Sequence, residues 1–549
     1  MLEVLIAVSV AILVGNILAH KIRVTPAIVL IFVGLFMGLI PAHQLHEVQE
    51  LGLPPHVILE IFLPIMLFWE ARGTSWREMR KRLRGILLTG TLLVIVTAVA
   101  IAWALVTFTP IGWGPALIIG AALAPTDATA VATLNGKLPK SAISTLKGEA
   151  LINDGTTLVV FALALEVAGG HELSAGRATG MFFYSFAAGI LVGYLVGWVC
   201  NKIRARIDNP MYFTAFMVTV PFIAFLLSES LEIAEGFKGS GVVAVVVAAI
   251  YLTYYGPETI APVNRFYGLP IWAFISFALN GALFILVGVQ LPEIWRTMEE
   301  SAAEHGYHFY KGIFAILLVW VVSIAVRYLF LEISIRIIRF LDRSEKQKQL
   351  RTTFKGRLIS TAAGLRGGIS LAVALSVPYG TPLREYIIFV VAAVVMLSMV
   401  VQGLALPAVI KWANLPVDDS EEREIDMATR TALREAFNSL DEIADEIKVS
   451  DEVREALRSE FTHYNKRIHL DDDSESAGTY SSMERRPDGS REPSILEQDQ
   501  ALRIAILNRQ REVLIDMRAA GTIDMNVLHV IQERLDMEEV RVMGPVELE

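Results

Sequence analysis

Thirteen long apolar runs recur along this chain of 549 residues, and they constrain the fold more than any other feature. A helix needs about 20 apolar residues to cross the hydrocarbon of a bilayer. The runs cover 2–19, 24–41, 56–70, 84–108, 113–134, 146–168, 177–200, 211–230, 238–256, 267–290, 311–335, 356–377 and 385–411. A mean hydropathy of +0.50, with 54% hydrophobic and 19% charged residues, excludes an ordinary soluble domain. The expectation is an all-α polytopic membrane protein with about thirteen transmembrane helices. The first run lacks a basic flank and a small-residue cleavage site, so it is expected to be a span and not a cleaved leader. With Cys200 as the only cysteine, no internal disulfide or cysteine-based metal site can form.

Lys and Arg favour the cytoplasmic side of short loops. They gather at Lys21 and Arg23, at Arg72, Arg77, Arg80, Lys81, Arg82 and Arg84, and at Lys137, Lys140 and Lys147. Further groups are Lys202, Arg204 and Arg206, then Arg265, and eight residues in 336–357. The intervening loops hold little beyond Arg177, Lys238, Arg296 and Arg384. This alternation puts the N-terminus outside and the C-terminus in the cytoplasm of a cell membrane. The charge is split as well: residues 1–411 carry 31 Lys and Arg against 24 Asp and Glu, and residues 412–549 carry 17 against 33. The tail is therefore acidic. Helical spacing in 421–448 and 451–469, a polar linker at 471–493, and helices from 494 to a stop at Gly521 and from Thr522 or Asp524 to about Glu539 complete it. Three parts are expected beyond the membrane domain 1–411: a helical segment 412–470, the linker, and the helices of 494–549. No cofactor or nucleotide motif occurs in the tail.

Ionisable residues inside apolar runs are costly and mark function. The sequence Gly148-Glu149-Ala150-Leu151-Ile152-Asn153-Asp154-Gly155 puts two carboxylates and an amide into the sixth run. Ala124-Pro125-Thr126-Asp127-Ala128-Thr129-Ala130 interrupts the fifth, and Gly364-Leu365-Arg366-Gly367-Gly368-Ile369-Ser370 the twelfth. Unwound backbone at membrane depth survives only where it is buried or lines a cavity, and paired interruptions point to a transporter with inverted repeats. Asp127 and Asp154 are expected to form one cation and proton site: a desolvated carboxylate binds a proton or a hard cation, and not both at once. Asn153 is neutral, which favours electroneutral one-for-one exchange. Glu149 lies on the face of Asn153, with Arg327 and Arg366 as buried candidate partners; a Glu149–Arg327 clamp is favoured, leaving Arg366 to balance negative helix ends. Glu60 and Glu70 read as boundary residues of the third run, and Asn280 and Gln290 as interhelical hydrogen bonds. No histidine sits deep in a run, and a metal site at His43, His46 and His56 is disfavoured.

Glu-Ala-Leu-Ile-Asn-Asp (149–154), Pro-Thr-Asp (125–127) and Gly-Leu-Arg-Gly-Gly-Ile-Ser (364–370) resemble the motifs of the cation/proton antiporter superfamily, in its electroneutral sodium/proton exchanger branch. The resemblance covers about residues 1–411. It implies a homodimer, with spans 1–3 and 7–10 as dimerisation domain and spans 4–6 and 11–13 as a moving core. It also implies that broken spans 5 and 12 cross near the ion and that alternating access is elevator-like. Asp154 would be the main carrier of sodium or lithium and of the proton, with Asp127 and the Thr126 backbone assisting and Asn153 orienting the site. Glu149 would pair with Arg327. Two departures stand out: Ala150 replaces a serine usual in the motif, and Ala128 replaces a proline. The missing oxygen keeps potassium/proton exchange open as an alternative. A passive cation channel or membrane sensor is the other alternative, and an enzyme is not expected, since no nucleophile–base pair is present.

Overall fold

In hydrocarbon every backbone N–H and C=O must be satisfied within the segment that carries it, which leaves the helix as the form for such runs. The computed structural model describes residues 2–22, 24–39, 55–127, 138–170, 174–234, 236–305, 309–341, 353–414, 420–468 and 494–543, and these are helical with short connections. The linker 471–493, His43, His46 and the end of the fifth run lie outside the described residues, as does the side chain of His56.

The chain divides into two compact units. The first holds residues 1–207, 214–256 and 270–418. Its helices begin with α1 (Leu2–Ile22), α2 (Pro26–Leu39), α3 (Pro55–Arg72), the short α4 (Trp76–Lys81), α5 (Leu83–Phe108) and α6 (Trp113–Leu123). They continue with α7 (Lys140–Ala168), α8 (Ala175–Arg204), α9 (Pro210–Glu229), α10 (Gly241–Thr259), α11 (Pro262–His305) and α12 (Phe309–Leu341), of which the ends 210–213, 257–259 and 262–269 belong to the second unit. The last three are α13 (Phe354–Ala362), α14 (Gly368–Leu375) and α15 (Arg384–Ala413). Each expected run holds at least one helix, though not always over its whole length. Among the described residues, however, eight helices are long and apolar enough to cross a membrane, with three shorter apolar helices besides. The count falls below thirteen because some runs make short or interrupted helices. In the twelfth run α13 stops at Ala362 and α14 starts at Gly368; in the fifth, α6 stops at Leu123.

Two helices carry a single π turn, Leu88–Leu92 in α5 and Ser398–Gln402 in α15. Such turns widen the helix locally and free backbone groups for other partners. Small residues set how closely helices approach: a Cβ on Gly120 of α6 would lie 2.3 Å from the carbonyl oxygen of Ala98 in α5, so only glycine permits this contact. The core of the unit is apolar and continuous, from Ile101 and Leu105 through Ile118 and Ile119 to Ile387 and Val391. Asn280, expected to bond between helices, donates instead to the Ser276 carbonyl one turn back at 3.0 Å. An amide inside a long helix always has that carbonyl within reach.

The second unit holds residues 208–213, 257–269 and 419–549. Its helices are α16 (Ser420–Asn438), α17 (Leu440–Ile447), α18 (Asp451–Ile468), α19 (Ile495–Ala519) and α20 (Met525–Met543). Ser494 and Glu497 form a reciprocal capping box at the start of α19. Asp524 caps α20 by accepting from the Asn526 N–H at 3.1 Å. Arg265, in the first turn of α11, makes a two-pronged bond to Asp536 of α20 at 2.7 and 2.8 Å.

Candidate ion site

Proline at 125 removes a backbone donor and ends the pattern of α6, while glycines at 364, 367 and 368 weaken the twelfth run where α13 gives way to α14. The two breaks meet. The Asp127 N–H donates to the Leu365 carbonyl at 2.8 Å, joining their backbones. A Cβ on Gly367 would fall 1.7 Å from Asp127 Oδ2, so the carboxylate rests directly on the glycine backbone. Arg366, 3% exposed, donates from Nη1 to the carbonyls of Ala124 at 3.0 Å and Pro125 at 2.9 Å. These carbonyls follow the C-terminus of α6, where a cation offsets the negative end of the helix dipole. The Arg366 N–H is taken by Ser398 Oγ at 3.1 Å, and Ser398 Oγ donates to Gln402 Oε1 at 2.7 Å. The π turn of α15 therefore braces the second break.

A second network holds the first break against α7. Arg327 of α12 lies 2.5 Å from Glu149 Oε1 and donates from Nε to the Ser360 carbonyl of α13 at 2.9 Å. Thr126 Oγ1 is 3.4 Å from Glu149 Oε1, and Asn153 Nδ2 donates to Thr126 Oγ1 at 3.0 Å. Glu149, Asn153 and Arg327 are each no more than 3% exposed. Burial makes a pair of this kind costly to break from one side, since the remaining charge is left in low dielectric. Thr156 adds a further tie, donating to the Gly90 carbonyl in the π turn of α5 at 2.8 Å. The structure therefore joins Thr126, Glu149, Asn153 and Arg327 in one chain of contacts, and Asp127 and Arg366 in another, the two meeting at residues 124–127.

Asp154 stands apart from both chains. It is 2% exposed, and its Oδ1 has no hydrogen-bond partner among the described residues. Two carboxylates act on it electrostatically, Glu70 and Asp127. Glu70 in turn feels Asp127 and Lys147. Among the described residues no group of three His, Cys, Asp or Glu side chains converges as a metal-binding cluster.

Sequence reasoning missed four contributors. Glu70 reads as a boundary residue because it ends an apolar run just before Arg72, and nothing local tells that α3 delivers it toward Asp127. Ser398 and Gln402 carried a signal that could have been used: two polar residues four apart within an otherwise apolar run. Gly367 is legible only as part of a glycine cluster; the carboxylate lying on it is a tertiary fact.

The sequence model of the family described as sodium/hydrogen exchanger, transmembrane, matches residues 6–412. An uncharacterized sodium/proton exchanger of Mycobacterium tuberculosis is 37% identical over 557 residues, covering 100% of this chain and 97% of that protein. The sodium/proton antiporter ApNhaP of Aphanothece halophytica is 29% identical over 422 residues, covering 76% of this chain and 75% of that protein. The fold is similar to that of the sodium proton antiporter MjNhaP1 from Methanocaldococcus jannaschii, with a TM-score of 0.58 at 16% identity, over 75% of this chain and 99% of that one. A chain of apolar helices whose interrupted segments carry these motifs, matched over most of its length, belongs to the sodium/hydrogen exchanger family.

Proposed function

We propose that this protein exchanges a monovalent cation, sodium or lithium, for a proton across the cell membrane, one for one, with Asp154 as the shared carrier. The observation that carries the reading is the burial of Asp154 beside a break where the other buried charges are already engaged. Glu149 is matched by Arg327, and Arg366 by the carbonyls after α6. Asp154 is thus the buried charge left to change partner. A carboxylate in low dielectric is neutralised by a proton or by a cation, and occupancy by one expels the other. Asn153 is neutral and engaged with Thr126, so a single charge moves each way and the cycle is electroneutral. Asp127 and the Thr126 carbonyl assist at the cation.

In this reading the core of spans 4–6 and 11–13 shifts like an elevator against spans 1–3 and 7–10, in a homodimer set in the lipid bilayer. The N-terminus is outside and the C-terminus cytoplasmic. Exchange of potassium for protons is the second reading, favoured by Ala150: its methyl, 3% exposed, gives the α7 face one oxygen fewer, which weakens discrimination against the larger ion.

The test is dequenching of a pH-sensitive dye in proteoliposomes on adding sodium, lithium or potassium, for wild type and Asp154→Asn. Sodium should dequench the wild type and leave the variant silent. Exchange that persists in Asp154→Asn would remove Asp154 as carrier. A response to potassium alone would move the substrate. A current following the membrane potential, with no proton coupling, would make the protein a channel.

A further inference from the structure

On an α-helix, positions i, i+4 and i+7 fall within an arc of ~60°, on one face. On α7 these are Ala150, Asp154 and Thr157, with Asn153 at the margin of the same face. Ala150 presents a methyl one turn before Asp154. Thr157 presents a hydroxyl one turn after it. Thr157 is 0% exposed, and its Oγ1 has no hydrogen-bond partner among the described residues.

That is unusual for a threonine inside a helix. Such a hydroxyl has the carbonyl four residues back within reach as an acceptor. Thr91, Thr107, Thr179 and Thr361 all do so, at 2.6 to 3.0 Å. So does the adjacent Thr156, to Ile152 at 3.0 Å. The hydroxyl of Thr157 does not take the carbonyl of Asn153, and a buried hydroxyl left without a partner is costly. Its immediate neighbours on the face are in the same condition: Asp154 Oδ1 and Asn153 Oδ1 are buried and without partners among the described residues. Three unpartnered oxygens on one helix face, from a carboxylate, an amide and a hydroxyl, are ligands of the oxygen type that hard cations take.

We propose that Thr157 Oγ1 is a ligand of the transported cation, supplying from one side of Asp154 the neutral oxygen that Ala150 cannot supply from the other. The inference rests on Asp154 being the carrier. With a proton bound instead, the Asp154 carboxyl donates to the same hydroxyl, so Thr157 serves both occupants of the site.

The experiment is sodium-dependent exchange in proteoliposomes for wild type, Asp154→Asn, Thr157→Val, Thr157→Ser and the double variant Ala150→Ser/Thr157→Val. Valine keeps the β-branched shape and removes only the hydroxyl. Thr157→Val should raise the apparent KM for sodium about tenfold, the effect of one lost ligand-type hydrogen bond, with the maximal rate within about twofold. Thr157→Ser should return the wild-type KM. The double variant should recover most of the affinity, because its serine puts an oxygen back on the same face. A role in packing alone would lower the amount of folded protein without separating KM from maximal rate, and serine at 150 would not repair it. An unchanged KM in Thr157→Val, with Asp154→Asn inactive, overturns the inference and leaves the site standing. Loss of exchange in Thr157→Val without recovery in the double variant also overturns it. Exchange retained by Asp154→Asn overturns the site, and this inference with it.

Discussion

Gly367 and Asp127 show how much of the site is decided by single atoms. A hydrogen is all that the Gly367 Cα can carry, because a methyl would sit 1.7 Å from Asp127 Oδ2. Gly367→Ala therefore has to move the carboxylate or reopen the crossing. The expected result is exchange reduced about 100-fold, the penalty that a displacement near 1 Å can exact at a reacting site, with the protein still inserted and folded. Dye dequenching beside size-exclusion chromatography in detergent checks it; wild-type rates in Gly367→Ala would show that the Asp127 position is free to vary. The same scale explains what local sequence could tell. Asp154, Asp127, Glu149 and Arg327 were conspicuous as charges within apolar runs, since the cost of burying a charge is a property of the residue and its surroundings in sequence. Glu70 was not conspicuous, because its relevance arises from its charge near Asp154 of α7, which no neighbour in the chain reports.

At the scale of elements, the helices follow from apolar length, and their interruptions follow from Pro125 and from the glycines at 364, 367 and 368. The π turn at Ser398–Gln402 was not expected. It lets Ser398 bind the Arg366 N–H while donating to Gln402, so an element in a different run supports the unwound backbone of the twelfth. Ser398→Ala would leave the Arg366 N–H buried without this acceptor, a loss of about 1–3 kcal/mol. The expected outcome is a thermal midpoint in detergent lowered by several degrees and a reduced exchange rate, with sodium KM changed little. An unaltered midpoint would mean that the π turn does not brace the break. Lengths also differ from those read in the apolar runs: α7 begins at Lys140 and α11 continues to His305, since a helix propagates past the hydrocarbon at little cost once nucleated.

At the scale of the whole molecule, the chain separates its charge, with a basic membrane part and an acidic tail. Within the second unit that tail uses an arginine from outside itself. Arg265 and Arg511 both bind Asp536, and Arg511 also binds Glu539. Arg518 binds Glu258, again from the segment 257–269. Asp536, 3% exposed, thus neutralises two arginines, and Asp536→Ala would leave both without their shared carboxylate. A cost of about 3–5 kcal/mol is expected for breaking a buried network of this kind from one side. Limited proteolysis should then cut 420–543 far sooner than in wild type; equal resistance would show that apolar packing around Leu514, Leu528 and Ile531 suffices by itself.

What the sequence determined was that the apolar runs are helical, where two of them are interrupted, and which charges within those runs are buried, among them Asp154, Glu149, Arg327 and Arg366, because a bilayer imposes its requirements on each run separately. Helix caps and stops were legible for the same local reason: Gly521 follows α19 at φ +73° and Asp524 caps α20. What only the tertiary structure decided was partnership. Arg366 could have met Glu149 or helix ends, and it meets the carbonyls of Ala124 and Pro125; Arg265 looked like one loop charge and is held by a residue 271 positions away. Such choices depend on which elements come within hydrogen-bond distance. Hydropathy says how deep a residue lies, and packing of the helices says what it touches.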